Sequence, residues 1–146
     1  MKNNVVEKGL IDFIKEYSAI PCLYWFPLIK LKKSIPVIAY NLDELYKNDK
    51  ISLLEKVLKS CEISNVNTFQ MDHREYFEVE NIFELLYEKD EDGYTFPWSF
   101  ETFYFDSGKT WLIYVSHEST ISFTGKKIAE TAEKIFTAIQ NIGRVS

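Results

Sequence analysis

The sequence predicts an α+β fold, a mainly antiparallel sheet with helices packed against it and a helix towards each end. Three observations lead there. The stretch Phe100 to Gly125, FETFYFDSGKTWLIYVSHESTISFTG, is the densest aromatic and β-branched run in the chain and reads as a C-terminal β-meander. Amphipathic helical spacing occurs near both ends of the sequence. No internal repeat, linker or low-complexity tract interrupts the 146 residues, which are 46% hydrophobic, so one domain over 1–146 is expected. A domain of this size buries roughly 68–70% of its unfolded surface, enough for one core.

The elements follow in chain order. Val6, Leu10, Phe13, Ile14 and Tyr17 recur at helical spacing, which predicts an amphipathic helix over 5–17 ended by Pro21. Residues 22–40 are rich in β-branched and aromatic side chains, but Pro27 and Pro36 each remove a ladder donor, so edge strands or a covered loop are expected rather than a central strand. Asn41 is placed to cap a short helix through Leu42, Leu45 and Tyr46. Ser52 and Glu55 have capping-box spacing ahead of a helix over 52–61. Residues 66–71 and 75–80 read as strands, and Asn81 opens a helix over 81–89; a continuous helix from Asp72 to Glu88 is the competing reading. Asp90 to Gly93 is a polar turn.

Within the aromatic run, strands over 100–106 and 110–116 flank Ser107-Gly108. A two-residue loop there sets Asp106 opposite Lys109, Phe105 opposite Thr110, Tyr104 opposite Trp111 and Phe103 opposite Leu112. Trp111 to Val115 is apolar at every position, as expected of a central strand covered on both faces. Ser119 to Phe123 alternates, which predicts one wet face nearer the sheet edge. Finally, Ile128, Ala132, Ile135, Phe136, Ile139 and Ile142 share one helical face up to Gly143, a candidate C-cap.

Charge and composition exclude several functions. A net charge of −5 and a pI near 5.1 argue against nucleic-acid binding through the phosphate backbone and favour a basic partner. Cys22 and Cys61 form no CxxC, the N-terminus lacks signal-peptide order, and the longest uncharged run, Ser18 to Ile29, is too short to span a bilayer, so a soluble cytoplasmic protein is expected. The five glycines stand apart, leaving no phosphate-binding loop. His117-Glu118 begins a zinc-protease motif, but Ile121 stands where the second His belongs, and no metal or cofactor is expected. Ser116, His117 and Glu118 are triad residue types, yet neighbouring strand residues face opposite ways, so Ser116 and His117 do not meet. A hydrolase or nuclease using His117, Glu118 and Asp72 remains the alternative to a Ser-His-Glu that closes a turn.

The charge itself is local. Residues 72–92 carry nine acids against Arg74 and Lys89, a net of −7, while the remainder of the chain is at +2. Interleaved aromatics make this segment a candidate docking surface for a cationic protein, with Glu78, Glu80, Glu84, Tyr87, Glu88, Asp90, Glu91, Asp92 and Trp98 as its contacts. The string Trp111-Leu112-Ile113-Tyr114-Val115-Ser116-His117-Glu118, with Phe103 to Asp106 before it and Ile121 to Gly125 after, resembles a W-x-I-Y-x-S-H-E signature of small bacterial proteins. Some of these are similar to immunity proteins of polymorphic or contact-dependent toxin systems. The resemblance covers about the last third of the chain. It implies a cytoplasmic inhibitor that binds a toxin domain, often a cationic nuclease, and blocks it sterically, with no catalytic residue of its own; it leaves the oligomeric state open.

Overall fold

A computed structural model describes residues 36–47, 50–70, 75–96, 101–108, 110–116 and 118–145. The helix expected over 5–17, Cys22 and most of the 22–40 region lie outside the described residues. Within them the order is β1 (Val37–Asn41), α1 (Leu42–Lys47), α2 (Ile51–Ser60), β2 (Val66–Gln70), β3 (Glu75–Val79), α3 (Ile82–Leu86), β4 (Lys89–Asp90), β5 (Gly93–Tyr94), β6 (Thr102–Phe105), β7 (Leu112–Val115), β8 (Thr120–Thr124), α4 (Lys126–Ile135) and β9 (Asn141–Val145). Seven strands form one sheet in the order β3-β2-β6-β7-β8-β1-β9, every pair antiparallel, and β4 and β5 make a separate small hairpin. The fold is α+β, with β6-β7-β8 as the expected meander.

Strand β7 sits in the middle of the sheet because each of its side chains is apolar. Ile113 and Val115 join Ile38, Tyr40, Ile121 and Phe123 in a core completed by Leu54, Val57 and Leu58 of α2 and Ile128 and Ala132 of α4. Phe136, just past α4, closes it edge-on: its ring centroid lies 4.7 Å from that of Tyr40 and 5.7 Å from that of Phe123. Fully burying one such ring stabilises by about 1.5–3 kcal/mol. On the other face Phe103 stacks on Tyr114 at 4.6 Å, and Phe69, Phe105 and Leu112 are buried with them.

Five expectations are corrected. The hairpin register is displaced: Phe105 faces Leu112, Tyr104 faces Ile113 and Phe103 faces Tyr114. The turn is longer than two residues because Asp106 accepts hydrogen bonds from the Thr110 amide (2.6 Å) and its hydroxyl, closing the loop before the strands begin to pair. Strand β8 is not near the sheet edge, since β1 and β9 lie beyond it, and it has no wet face, since Thr120, Ser122 and Thr124 are buried. Strand β1 is interior, between β8 and β9, and tolerates its proline because Pro36 precedes the ladder and offers only its carbonyl, which accepts from Gly125 N–H at 2.9 Å. The Ser52–Glu55 capping box does not form: α2 starts at Ile51 behind Lys50 without a side-chain cap.

The largest correction is at the chain end. Helix α4 stops at Ile135, with Phe136 N–H still reaching Ala132 O at 2.8 Å, and Gly143 lies in strand β9 rather than at a helix C-cap. Strand β9 supplies the backbone partners that the outer edge of β1 requires. Ala39 faces Gly143 and Tyr40 faces Asn141, so Ile142 is the extra residue of a bulge and is exposed. Two helix expectations hold: Asn41 Oδ1 accepts from Asp43 N at 2.9 Å at the start of α1, and Asn81 Oδ1 from Phe83 N at 3.1 Å at the start of α3. The strand over 75–79 replaces the continuous 72–88 helix.

Candidate functional site: an acidic sheet edge

Among the described residues β3 is the outermost strand on its side of the sheet, with Glu75 and Glu78 exposed and Tyr76, Phe77 and Val79 half-buried. Val79 faces Val66 and Phe77 faces Thr68, while Tyr76 lies over Phe69 on the other face. The Tyr76 hydroxyl donates to Asn67 Oδ1 at 3.1 Å, Asn67 Nδ2 donates to Ser107 Oγ at 3.3 Å, and the Tyr76 ring stands 6.2 Å from that of Phe105. Partial burial, and after it the charge of Glu78, raise the Tyr76 phenol above its ordinary value. These contacts fix the strand, so Glu75 and Glu78 are left in solvent, and Glu80 follows them there.

Helix α3 hangs from the same edge. Ile82 N–H donates to Ser64 O at 2.9 Å, Ile82 and Leu86 are buried, and Phe83 packs partly beneath Lys59, whose Nζ lies 5.3 Å from the ring centroid. One helical face is thus anchored, and Glu84, Tyr87 and Glu88 point to water. Tyr87, 44% exposed, donates its hydroxyl to Glu55 Oε2, and Glu55 Oε1 pairs with Lys59 Nζ at 2.9 Å. Lys59 first, then Tyr87, holds the Glu55 carboxyl below the usual range. Beyond α3, the β4–β5 turn is closed by Asp92 N–H donating to Asp90 Oδ1 at 2.8 Å and by Gly93 at φ +120°, which leaves Asp90, Glu91 and Asp92 exposed.

All the candidate contacts that are described, Glu78, Glu80, Glu84, Tyr87, Glu88, Asp90, Glu91 and Asp92, are therefore exposed on three consecutive elements; Trp98 lies outside the described residues. Glu78 and Glu80 also line a cleft of about 210 Å³ together with Asn65, Val66, Asn67, Asp106 and Ser107. Sequence reasoning missed Asp106 as part of this wall, because the neighbourhood arises from β2 lying between β3 and β6.

The second candidate centre divides differently. Ser116 is buried; its Oγ lies 2.7 Å from Thr120 Oγ1 and accepts from Glu118 N–H at 3.2 Å, while Ser116 N–H donates to Thr120 O at 3.0 Å. The serine hydroxyl is engaged in closing the β7–β8 corner, where Ser119 takes φ +59°, and Glu118 points to solvent. His117 and Asp72 lie outside the described residues. Two features escaped sequence reasoning. Glu101 is buried at φ +59° and accepts the Tyr114 hydroxyl, and a cleft of about 590 Å³ opens beside Trp111, Gly125, Lys126 and Cys61. Among the described residues no three His, Cys, Asp or Glu side chains are grouped to hold a metal ion. None of the helices among them is long and apolar enough to cross a membrane. No protein-family model, curated protein or solved structure matches the chain.

Proposed function

We propose that the protein is an inhibitor of the immunity type, which binds a cationic toxin domain through the acidic edge formed by β3, α3 and the β4–β5 turn and blocks it sterically. The observation that carries this reading is the exposure of eight acids, Glu75, Glu78, Glu80, Glu84, Glu88, Asp90, Glu91 and Asp92, within 18 residues, on a segment held by the buried Ile82 and Leu86 and the half-buried Tyr76, Phe77 and Val79. A fixed field of one sign raises the encounter rate with a partner of the opposite sign, acting over about a Debye length, roughly 8 Å at physiological salt. Half-exposed rings such as Tyr87 then supply the desolvated contacts that slow release. Inhibition by coverage needs no nucleophile, metal or cofactor.

The test begins with the tagged protein as bait in lysate of the source cells and mass spectrometry of what it retains. The captured domain is then expressed with and without the protein. Expected is a basic, growth-arresting domain whose toxicity is suppressed in proportion to binding. A retained partner that is acidic, or that remains toxic when saturated with this protein, refutes the proposal.

A further inference from the structure

By their registers, β3 ends, β2 begins, β6 ends, β7 begins and β8 ends on one side of the sheet, so Glu80, Asn65, Asp106, Trp111 and Lys126 stand in strand order across that side. Two clefts lie among them. The smaller, about 210 Å³, is lined by Glu78 and Glu80; the larger, about 590 Å³, is lined by Ile63, Trp111, Ile128 and the two lysines that follow Gly125. Asn65 and Asp106 line both, so the clefts adjoin as one groove. Its charge is graded. Glu78, Glu80, Glu62 and Asp106 belong to the β3-β2-β6 side, and Lys126 and Lys127, both exposed, to the β8 side. Buried Ile63 and Ile128 and half-buried Trp111 supply the apolar wall of the larger cleft. From β3 to β8 is four inter-strand steps, about 19 Å at ordinary sheet spacing, which an extended chain covers with roughly six residues.

We infer that this groove is a peptide-binding site for an extended segment of about six residues, basic at the β3 end, apolar against Trp111 and acidic at Lys126 and Lys127. The larger cleft has the volume of an ordinary ligand pocket, where an apolar anchor leaves water and supplies affinity. The charged ends supply selectivity. A segment basic throughout would meet the two lysines with like charge, so the groove prefers a mixed-charge segment that simple attraction to the acidic residues would not favour. That the segment belongs to a toxin rests on the inhibitor reading above; the groove itself does not.

The probe is the acetylated and amidated hexapeptide Lys-Thr-Ile-Leu-Thr-Glu, titrated into the isotopically labelled full chain and followed by NMR. Two controls accompany it. Ile-Thr-Lys-Glu-Thr-Leu has the same composition with the charges in the middle, and Lys-Thr-Ile-Leu-Thr-Lys is basic at both ends. Expected from the probe are saturable shift changes at the Trp111 indole N–H and at the amides of Asn65, Asp106 and Lys126 to Ile128, with each control binding about tenfold more weakly. Lys126→Glu combined with Lys127→Glu should reverse the preference towards the two-lysine peptide. Both positions are exposed in the first turn of α4, where acids suit the helix dipole, so the variant keeps its fold, as circular dichroism will verify. No shift at Trp111 at millimolar probe, equal binding of the rearranged control, or tighter binding of the two-lysine peptide by wild type would overturn the inference. Toxin neutralisation is scored separately. Suppression of toxicity by a protein that fails these peptide tests removes the groove and keeps the inhibitor, and selective peptide binding without suppression does the reverse.

Discussion

Gly125 joins three elements, β8, α4 and β1, and replacing it by Ala should be among the most damaging single-methyl changes in the protein. It ends β8, precedes α4, donates its N–H to Pro36 at the start of β1, and accepts from Ala129 N–H at 2.9 Å. Its backbone has φ +121° and ψ 144°, a region open essentially to glycine alone, where another residue costs on the order of 1–3 kcal/mol. A Cβ there would sit 3.0 Å from Thr110 O and 3.3 Å from Trp111 Cα. Both are backbone atoms, so relief requires moving the β6–β7 connection, an overpacking cost of about 1–3 kcal/mol more. The expected loss is about 3 kcal/mol, a large part of a typical 5–15 kcal/mol stability, and a fall in Tm of roughly 6–12 °C. Gly108→Ala is the control, because a Cβ there meets nothing nearer than 3.6 Å; its change should stay within about 0.5 kcal/mol. Urea unfolding followed by tryptophan fluorescence gives both values. If Gly125→Ala unfolds at the same midpoint as Gly108→Ala, the junction is not the constraint described.

Ile113→Asp should place an unpaired charge between Tyr104 and Phe123 in the central strand, cost about 4 kcal/mol or more, and leave no cooperative melt by calorimetry. Glu84→Lys, Glu88→Lys and Glu91→Lys combined take the 72–92 segment from −7 to −1, so association with a captured cationic partner should slow by about tenfold at low salt and converge with wild type at high salt, with dissociation little changed in surface plasmon resonance. Burial, and secondarily Tyr46, raise the Tyr104 phenol well above its ordinary value, so its contribution is intact below about pH 10 and is lost as pH rises further, by about 1.4 kcal/mol per pH unit for one group. Urea midpoints at pH 9, 10 and 11 should therefore fall less steeply in Tyr104→Phe than in wild type, and parallel curves would refute this. Asn81→Ala should cost about 1 kcal/mol through loss of the α3 cap, measured by the same denaturation.

What could be read from the sequence depended on how local its physical cause was. The centrality of β7 was legible because five successive apolar residues have no other use, and the Asn41 and Asn81 caps were legible because a cap acts within two residues. The hairpin register was not, since it turns on the Asp106 carboxylate folding back to Thr110 rather than on the Ser-Gly pair. Glu55 looked like a capping partner of Ser52, but Tyr87, 32 residues away, and Lys59 hold it. Ile139 and Ile142 fit a helical period, but Ile139 lies in the turn after α4 and Ile142 in a bulged strand whose need is created by β1, about a hundred residues earlier. The same division runs through the site. The exposure of the acids followed from their composition, but the edge position of β3 and the inclusion of Asp106 in the cleft depend on strand order, which no local pattern encodes.

The sheet order also sets a timetable for synthesis. Val37 pairs with Thr124, 87 residues later, and with Val145, 108 residues later. At about 5–20 residues per second, β1 leaves the ribosome roughly 4–17 s before β8 is made, and waits longer for β9. The β3-β2-β6-β7-β8 portion meanwhile assembles from segments emitted in sequence and needs neither β1 nor β9 to align its strands. Every strand of the acidic edge has thus been emitted before β9, and until β8 and β9 arrive the apolar strand Val37–Asn41 lacks the two strands that flank it.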